Sequence, residues 1–273
     1  LTSSNLFLTL DNELLKQMMF SIITATYNSA ETIQETIESV LSQNDCDIEY
    51  VVVDGQSNDG TLEIIKKNES RFNGRMRWFS EPDRGIYDAL NKGIRLATGD
   101  IIGMLHSDDV FASSSVINAI QEVFEKTNAD VVYGDLVYVD QKNPEKVLRY
   151  WRSQPFHSAL LLRGWMPAHP TVFMKKEIYE QHGGFDLSFS ISADYDFLLR
   201  VFQDDSLHSV YLAQVITKMR VGGTSNKTIR NIVIKSKEDY RALRKNGFSH
   251  TGWILAMKNF SKITQFFRTK TLS

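Results

Sequence analysis

The sequence predicts an α/β fold, a mainly parallel sheet with helices on both faces. Short apolar, β-branched runs recur at "FSIITAT" (20–26), "YVVVDG" (50–55), "RMRWFS" (75–80) and "DIIGMLHSDD" (100–109). Segments of helical periodicity lie between them, and Gly, Asp and Asn punctuate the junctions. Strand and helix alternating in this order give parallel strands joined by right-handed crossovers. That geometry sets a ligand crevice at the carboxyl ends of the strands.

Each element has a local reason. The run 20–26 reads as a strand buried on both faces. "SAETIQETIESVLSQ" follows, with Ser29 as cap, Glu31 in the first turn, and Ile33, Ile37, Val40 and Leu41 at helical spacing. After the strand 50–55, "DGTLEIIKKNESRF" opens a second helix, with Asp59 as its cap. "GIYDALNKGIRLATG" (85–99) puts Ile86, Leu90, Ile94 and Ala97 on one stripe and stops at Gly99. Beyond Val110, "SSSVINAIQEVFEK" is a further amphipathic helix and "ADVVYGDLVYVD" a strand or strand pair, closed by the polar turn "QKNPEK". Residues 151–192 are irregular, rich in Trp, Pro, Gly and His. "ISADYDFLLRVFQ" then opens a helix with Asp194 at its start and Leu198, Leu199 and Phe202 facing inward.

Composition narrows the class. At 42% hydrophobic and 23% charged residues, the chain has the balance of a soluble globular protein, which excludes disordered and collagen-like classes. The lone Cys46 allows no internal disulfide and fits a reducing compartment. No apolar run reaches the roughly 18 residues of a membrane span. Residues 1–18 lack the basic leader and cleavage site of a signal peptide and are set aside as an N-terminal extension. Charge is unevenly placed. From Lys227 to Ser273 there are eleven Lys and Arg against Glu238 and Asp239, a net of +9, so residues 1–226 carry −11. The expected division is therefore one domain over 19–225, with halves 19–110 and 111–225, and a basic helical tail over 226–273.

Polar residues gather where the fold class places a crevice. Tyr27 and Asn28, Asp54, Asp83 with Arg84, and the cluster His106, Asp108 and Asp109 each follow a separate strand. Asp54 is placed to accept hydrogen bonds from a ribose or base. Neither a G-x-G-x-x-G nor a G-x-x-x-x-G-K-[ST] pattern follows any strand, so a dinucleotide fingerprint and a phosphate-loop NTPase are both excluded. Carboxylates on a short loop suit a hard cation, Mg²⁺ or Mn²⁺, with positions left open for water and phosphate oxygens. His106 is either a third ligand or a packing residue. Asp194 is either a partner of the helix dipole or a general base.

These motifs resemble glycosyltransferase family 2, of GT-A fold. The resemblance runs from "FSIITATYNSAETIQETIESVLSQ" through "VVVDGQSNDGT", "SEPDRGIYDALNKGIRLATGD" and "LHSDD" to "HGGFDLSFSISADYDFLLR". The stretch "SEPDRGIYDALNKGI" is similar to bacterial transferases that build exopolysaccharide, capsule or O-antigen units. The resemblance implies inverting transfer from a nucleotide-diphosphate sugar, usually UDP-linked, with Mg²⁺ or Mn²⁺, to a glycan or polyprenyl-diphosphate-linked acceptor. It makes 19–110 the nucleotide-sugar half and 111–225 the acceptor half. By position, Thr26, Tyr27 and Asp54 fall where the family binds base and ribose, and Asp83 and Arg84 in its second nucleotide loop. Asp108 and Asp109 match its metal motif and Asp194 its catalytic base. Two departures stand out: Gly55 where many members have a second Asp, and His106 where the acidic motif often begins with Asp. They leave Asp109 as the principal metal ligand and Asp108 as the sugar or second metal contact. His169 and Arg220 are each candidates for acceptor or diphosphate contact, or for structural roles.

The tail "GWILAMKNFSKITQFFRTK" (252–270) intersperses Trp253, Ile254, Leu255, Phe260, Ile263, Phe266 and Phe267 with Lys258, Lys262, Arg268 and Lys270 and has no acid. Such a segment suits an anionic bilayer surface, on the cytoplasmic face of the membrane, or packs on the body or a partner subunit. A nucleic-acid role is not expected, because the body is acidic. The alternatives to an active transferase are a sugar-nucleotide-binding assembly subunit that has lost turnover, and a sugar-1-phosphate nucleotidyltransferase. The latter would want a Gly-rich basic loop after the first strand, where "TATYNSAE" stands.

Overall fold

The computed structural model of the chain describes residues 18–44, 46–221 and 229–267. Strands β1 (Met19–Thr26), β2 (Asp47–Asp54), β3 (Met76–Ser80) and β4 (Ile101–Met104) lie in the order β3-β2-β1-β4, all parallel. Helices α1 (Ile33–Leu41), α2 (Thr61–Glu69) and α3 (Ile86–Leu96) connect them. The second half adds β5 (Val110–Phe111), α4 (Val116–Thr127), β6 (Val131–Val139), β7 (Val147–Trp151), β8 (Val172–Lys175), α5 (Lys176–His182), α6 (Ala193–Phe202) and β9 (Ser209–Arg220). These strands extend the same sheet as β4-β8-β6-β9-β5, with β7 paired to β6. Here β8 is antiparallel to both β4 and β6, while β9 runs parallel to β6. The whole is an α/β sheet with helices on both faces, as expected, parallel over β1–β4 and mixed beyond them.

Period-two alternation builds a core on each face. Phe20 and Ile22 of β1 join Tyr50 and Val52 of β2 under α1, α2 and α4. Ile23 and Ala25, with Val51 and Val53, face the other side and pack under α3, α5 and α6. The expected stripe of α1 is buried at Ile33, Ile37 and Val40, but its first turn begins later than Ser29. The Ser29 carbonyl accepts from the amides of Thr32 and Ile33, so Ser29 closes the turn that leads into the helix. Asp59 stands one residue before Gly60, which caps α2, and closes the turn that leads in: its Oδ1 accepts from the Thr61 amide at 3.0 Å. Ile86 departs from its stripe and is exposed, while Leu90 and Ile94 are buried.

The tail forms α7 (Ile229–Lys245) and α8 (Thr251–Phe267). Ala242 and Leu243 of α7 and Ile254 of α8 are buried in the same core as α6. The close approach of α8 requires Gly164: at φ +69° a Cβ there would lie 2.6 Å from the Ile254 carbonyl oxygen. Lys258 is buried, its Nζ 2.8 Å from Asp239 Oδ2 of α7 and over the ring of Tyr195. Burial lowers its pKa, and Asp239 opposes that shift. The described start of α8 therefore packs one face on the body. Its other face leaves Trp253 66% and Phe260 63% exposed. Of the other tail residues named above, the side chains of Lys262, Ile263, Phe266 and Phe267 and all of Arg268 and Lys270 lie outside the described residues. Among the described residues, no helix is long and apolar enough to cross a membrane.

Two stability predictions follow from this packing. A Cβ at Gly103 of β4 would collide with the ring of Phe173, which is itself wedged against Phe20 and Phe111. Gly103→Ala should cost about 1–3 kcal/mol in urea unfolding, and Phe173→Leu in the same chain should recover part of it. Asp239→Ala leaves the Lys258 ammonium buried without its carboxylate and should cost about 3–5 kcal/mol, much of it restored by adding Lys258→Met. An unchanged midpoint in either single variant would contradict the packing described.

Candidate active site

Two clefts open at the carboxyl ends of the parallel strands and adjoin. The larger, about 820 Å³, is lined by Thr26, Tyr27, Asp83, His106, Asp108 and Arg220 among others. The second, about 510 Å³, is lined by Tyr87, Trp151, Trp165, His169, Asp194 and Lys258 among others. Ile86, His106 and Met219 belong to both walls.

In the larger cleft, Thr26 ends β1 with its Oγ1 buried and unpartnered, and Tyr27 stands exposed beside it. Asn28 then takes a left-handed φ of 51°, and its Oδ1 accepts from the Asn58 amide at 3.0 Å, tying the β1 and β2 loops together. Asp83 lines the wall and is ion-paired with Lys92. Its Oδ2 lies 3.2 Å from where a Cβ would project from Gly55, so the position lacking a second Asp borders the Asp83 carboxylate.

Three expected contacts sit differently from what their positions suggest. Asp54 is fully buried, and both of its oxygens are taken: Ser57 donates through its hydroxyl and amide, and Ser80 through its hydroxyl at 2.6 Å. These bonds fix the β2 loop. Arg84 is turned outward, its side chain 76% exposed and paired with Asp88 one helical turn on at 3.2 Å, away from the cleft lining. Asp109 was expected to be the principal metal ligand but is 0% exposed. A turn separates the two neighbours: the Asp109 amide donates to the His106 carbonyl at 3.0 Å, Asp108 lines the cleft and Asp109 is buried. There its Oδ1 accepts from the Arg220 amide at 3.2 Å, and its Oδ2 has no partner. Burial, reinforced by Asp108, pushes the Asp109 carboxyl well above the usual range, against the pull of Arg220.

Arg220 underlies this turn. Its guanidinium donates to the Asp108 carbonyl at 2.6 Å and to Glu35, and its buried Nε is left without a partner. His106 presents a buried, unpartnered Nδ1, with its ring 6.1 Å from that of His169. Burial lowers both pKa values, that of His169 to about 4; Asp108 and then Asp194 oppose the shift at His106, and Asp194 opposes it at His169. Among the described residues no three His, Cys, Asp or Glu side chains converge as a closed metal cage. What the turn does offer is the Asp108 carboxylate in the cleft wall, the unpartnered Oδ2 of Asp109 and the unpartnered imidazole nitrogen of His106. That donor set fits a cation that takes most of its ligands from phosphate and water.

In the second cleft Asp194 occupies the first turn of α6. The Tyr87 hydroxyl lies 3.0 Å from Asp194 Oδ1 and 2.5 Å from the Ile191 carbonyl, so its single proton is shared between them. Burial first, then the Asp194 charge, pushes the Tyr87 phenol well up, so it stays a donor. Tyr87 and Glu35 were not singled out from the sequence, and Lys258 was named only as a basic residue of the tail. Each acts across more than a hundred residues or from the tail, where spacing gives no signal. His169 opens a short helix at Pro170 and lines the same wall.

Comparison with known proteins identifies the family and the fold. The family model described as glycosyl transferase family 2 matches residues 21–184. A PGL/p-HBAD biosynthesis glycosyltransferase of Mycobacterium bovis is 29% identical over 219 residues, 80% of this chain and 83% of that protein. Among solved structures, S. aureus TarS 1–349 in complex with UDP-GlcNAc superposes with a TM-score of 0.68 at 18% identity, covering 93% of this chain and 77% of that one. The mannosyltransferase PcManGT from Pyrobaculum calidifontis, in complex with GDP-Man and Mn²⁺, gives 0.62 at 19% identity, over 90% of this chain and 70% of that one. By the family match and the shared fold, the chain is a glycosyltransferase, and it belongs to glycosyl transferase family 2.

Proposed function

We propose that this chain moves a sugar from a nucleotide-diphosphate donor, UDP-linked, to a hydroxyl of a glycan or lipid-linked acceptor in cell-surface polysaccharide synthesis, with inversion. The observation that carries the reading is the junction of the two clefts at His106, with Asp108 on one side and Asp194 on the other. The solved relatives support a nucleotide-sugar donor, since one holds UDP-GlcNAc and another GDP-Man with Mn²⁺.

The roles follow from position. Thr26 and Tyr27 receive the base and ribose, and Asp83 closes that wall. The diphosphate lies over the turn of His106 to Asp109. Asp108, with His106 beside it, would hold Mg²⁺ or Mn²⁺, which neutralises charge building on the leaving diphosphate. Arg220 holds the Asp108 backbone in place from below and brings a fixed positive charge to the same wall. The acceptor enters the cleft of Trp151 and Trp165, and its hydroxyl attacks the anomeric carbon from the face opposite the diphosphate. Asp194 takes the hydroxyl proton, oriented by Tyr87. The exposed face of Trp253 and Phe260, continuous in sequence with the basic tail, suits peripheral attachment to the anionic cytoplasmic face of the membrane, where a lipid-linked acceptor would be met.

The test is a panel of UDP-, GDP- and dTDP-sugars scored by thermal stabilisation with and without Mn²⁺, followed by turnover. A UDP-sugar should stabilise the chain, more so with Mn²⁺, and Asp108→Ala should remove the metal-dependent part. Asp109→Asn should retain it. Asp194→Asn should bind donor normally and lose about 10²–10⁴ in turnover. Stabilisation by no nucleotide sugar would overturn the donor site. Binding without turnover on any acceptor would favour an assembly subunit.

A further inference from the structure

The loop that leads into Asp194 is held by one carboxylate from outside the sheet domain. Glu238 of α7 accepts at Oε1 from the Ser190 amide and hydroxyl, both at 2.8 Å. Its Oε2 accepts from the Ile191 amide at 2.8 Å and the Ser192 amide at 3.0 Å. These three consecutive residues end at Ser192, two positions before Asp194, in a stretch without regular structure. Burial opposes the charge of Glu238, but these donors outweigh it and hold the carboxyl below its ordinary range. The same peptide is gripped from the other side, because the Ile191 carbonyl and the Asp194 carboxylate share the Tyr87 hydroxyl.

The neighbouring turns of α7 reinforce the grip. Arg241, one turn on, donates to the Ser188 carbonyl at 2.7 Å, and its guanidinium lies 3.9 Å from the centre of the Phe189 ring. Lys245, a further turn along, bridges Asp186 at 2.8 Å and Asp196 at 3.0 Å. Glu238, Arg241 and Lys245 occupy positions i, i+3 and i+7, a single face of the helix. That face spans the chain from Asp186 to Asp196, with Asp194 inside it.

We propose that Glu238 is a positioning residue for Asp194: its carboxylate fixes the backbone of 190–192 and so sets where the proton acceptor meets the acceptor hydroxyl. The inference rests on Asp194 being that proton acceptor. Each amide donor turned toward Glu238 is satisfied only by an oxygen. An isosteric amide supplies one oxygen and turns an N–H₂ group against the remaining donors, which displaces the loop without removing bulk. Displacement on the order of 1 Å at a reacting group costs up to about a hundredfold in rate.

The experiment is a double-mutant cycle between Glu238→Gln and Asp194→Asn in the full chain, with UDP-sugar and acceptor kinetics and UDP thermal shifts. Glu238→Gln alone should lower kcat about 10- to 100-fold and leave the donor KM and the UDP shift within about twofold. In the Asp194→Asn background the same change should cost less than about twofold, because the group it positions is already gone. Additive losses, or a donor KM that rises in step with the falling kcat, would reassign Glu238 to plain maintenance of the fold. Unchanged kcat in Glu238→Gln, with Asp194 still required, removes this inference alone. Full turnover in Asp194→Asn removes the proton-acceptor reading and this inference with it. If Glu238→Gln does not fold, Glu238→Asp, which keeps the charge and shortens the reach, carries the same comparison.

Discussion

The site depends on how Arg220 closes the end of the sheet. Strand β4 stops at Met104 in the middle of the sheet, and the chain must reach β5 at its far edge, antiparallel to β9. The turn between them carries adjacent carboxylates, which repel each other. The Arg220 amide and guanidinium, at the last residue of β9, bond to Asp109 and to the Asp108 carbonyl, and the guanidinium also reaches Glu35 of α1. One residue thus joins the turn after β4 and the end of β9 to the first helix. Asp109 is buried as an acceptor of its amide, and Asp108 lines the cleft.

Much of this was legible in the sequence. The four parallel strands and their helices were readable because each uses a local device: an apolar β-branched run, a turn such as that of Asp59, or a stripe such as Ile33, Ile37 and Val40. The location of the site followed from topology, since strands of one direction end on one edge. Local signals ran out where long-range pairing decides. β9 inserts beside β6 by contacts spanning more than seventy residues, and β8 reverses direction between β4 and β6. Neither leaves a periodicity that differs from any other strand.

Side-chain direction was less readable than position. Asp108 and Asp109 are neighbours, yet one lines the cleft and the other is buried. Asp54 and Arg84 stand at the right edge, yet Ser57 with Ser80 draws one inward and Asp88 draws the other outward. The tail shows the same limit. Its composition suits a lipid surface, but Lys258 and Ile254 face the body because Asp239 and Gly164 receive them there. Amphipathicity fixes that a helix has two faces and leaves open which of its neighbours meets each one.

His106, with Ile86 and Met219, lines both clefts. A wall shared in this way cannot be altered for one tenant only. Enlarging it for one cleft enlarges the other as well, and filling it for one narrows the other. Divergence in what the clefts accept therefore has more freedom at the outer walls, around Tyr27 or Trp151, than at the boundary they share.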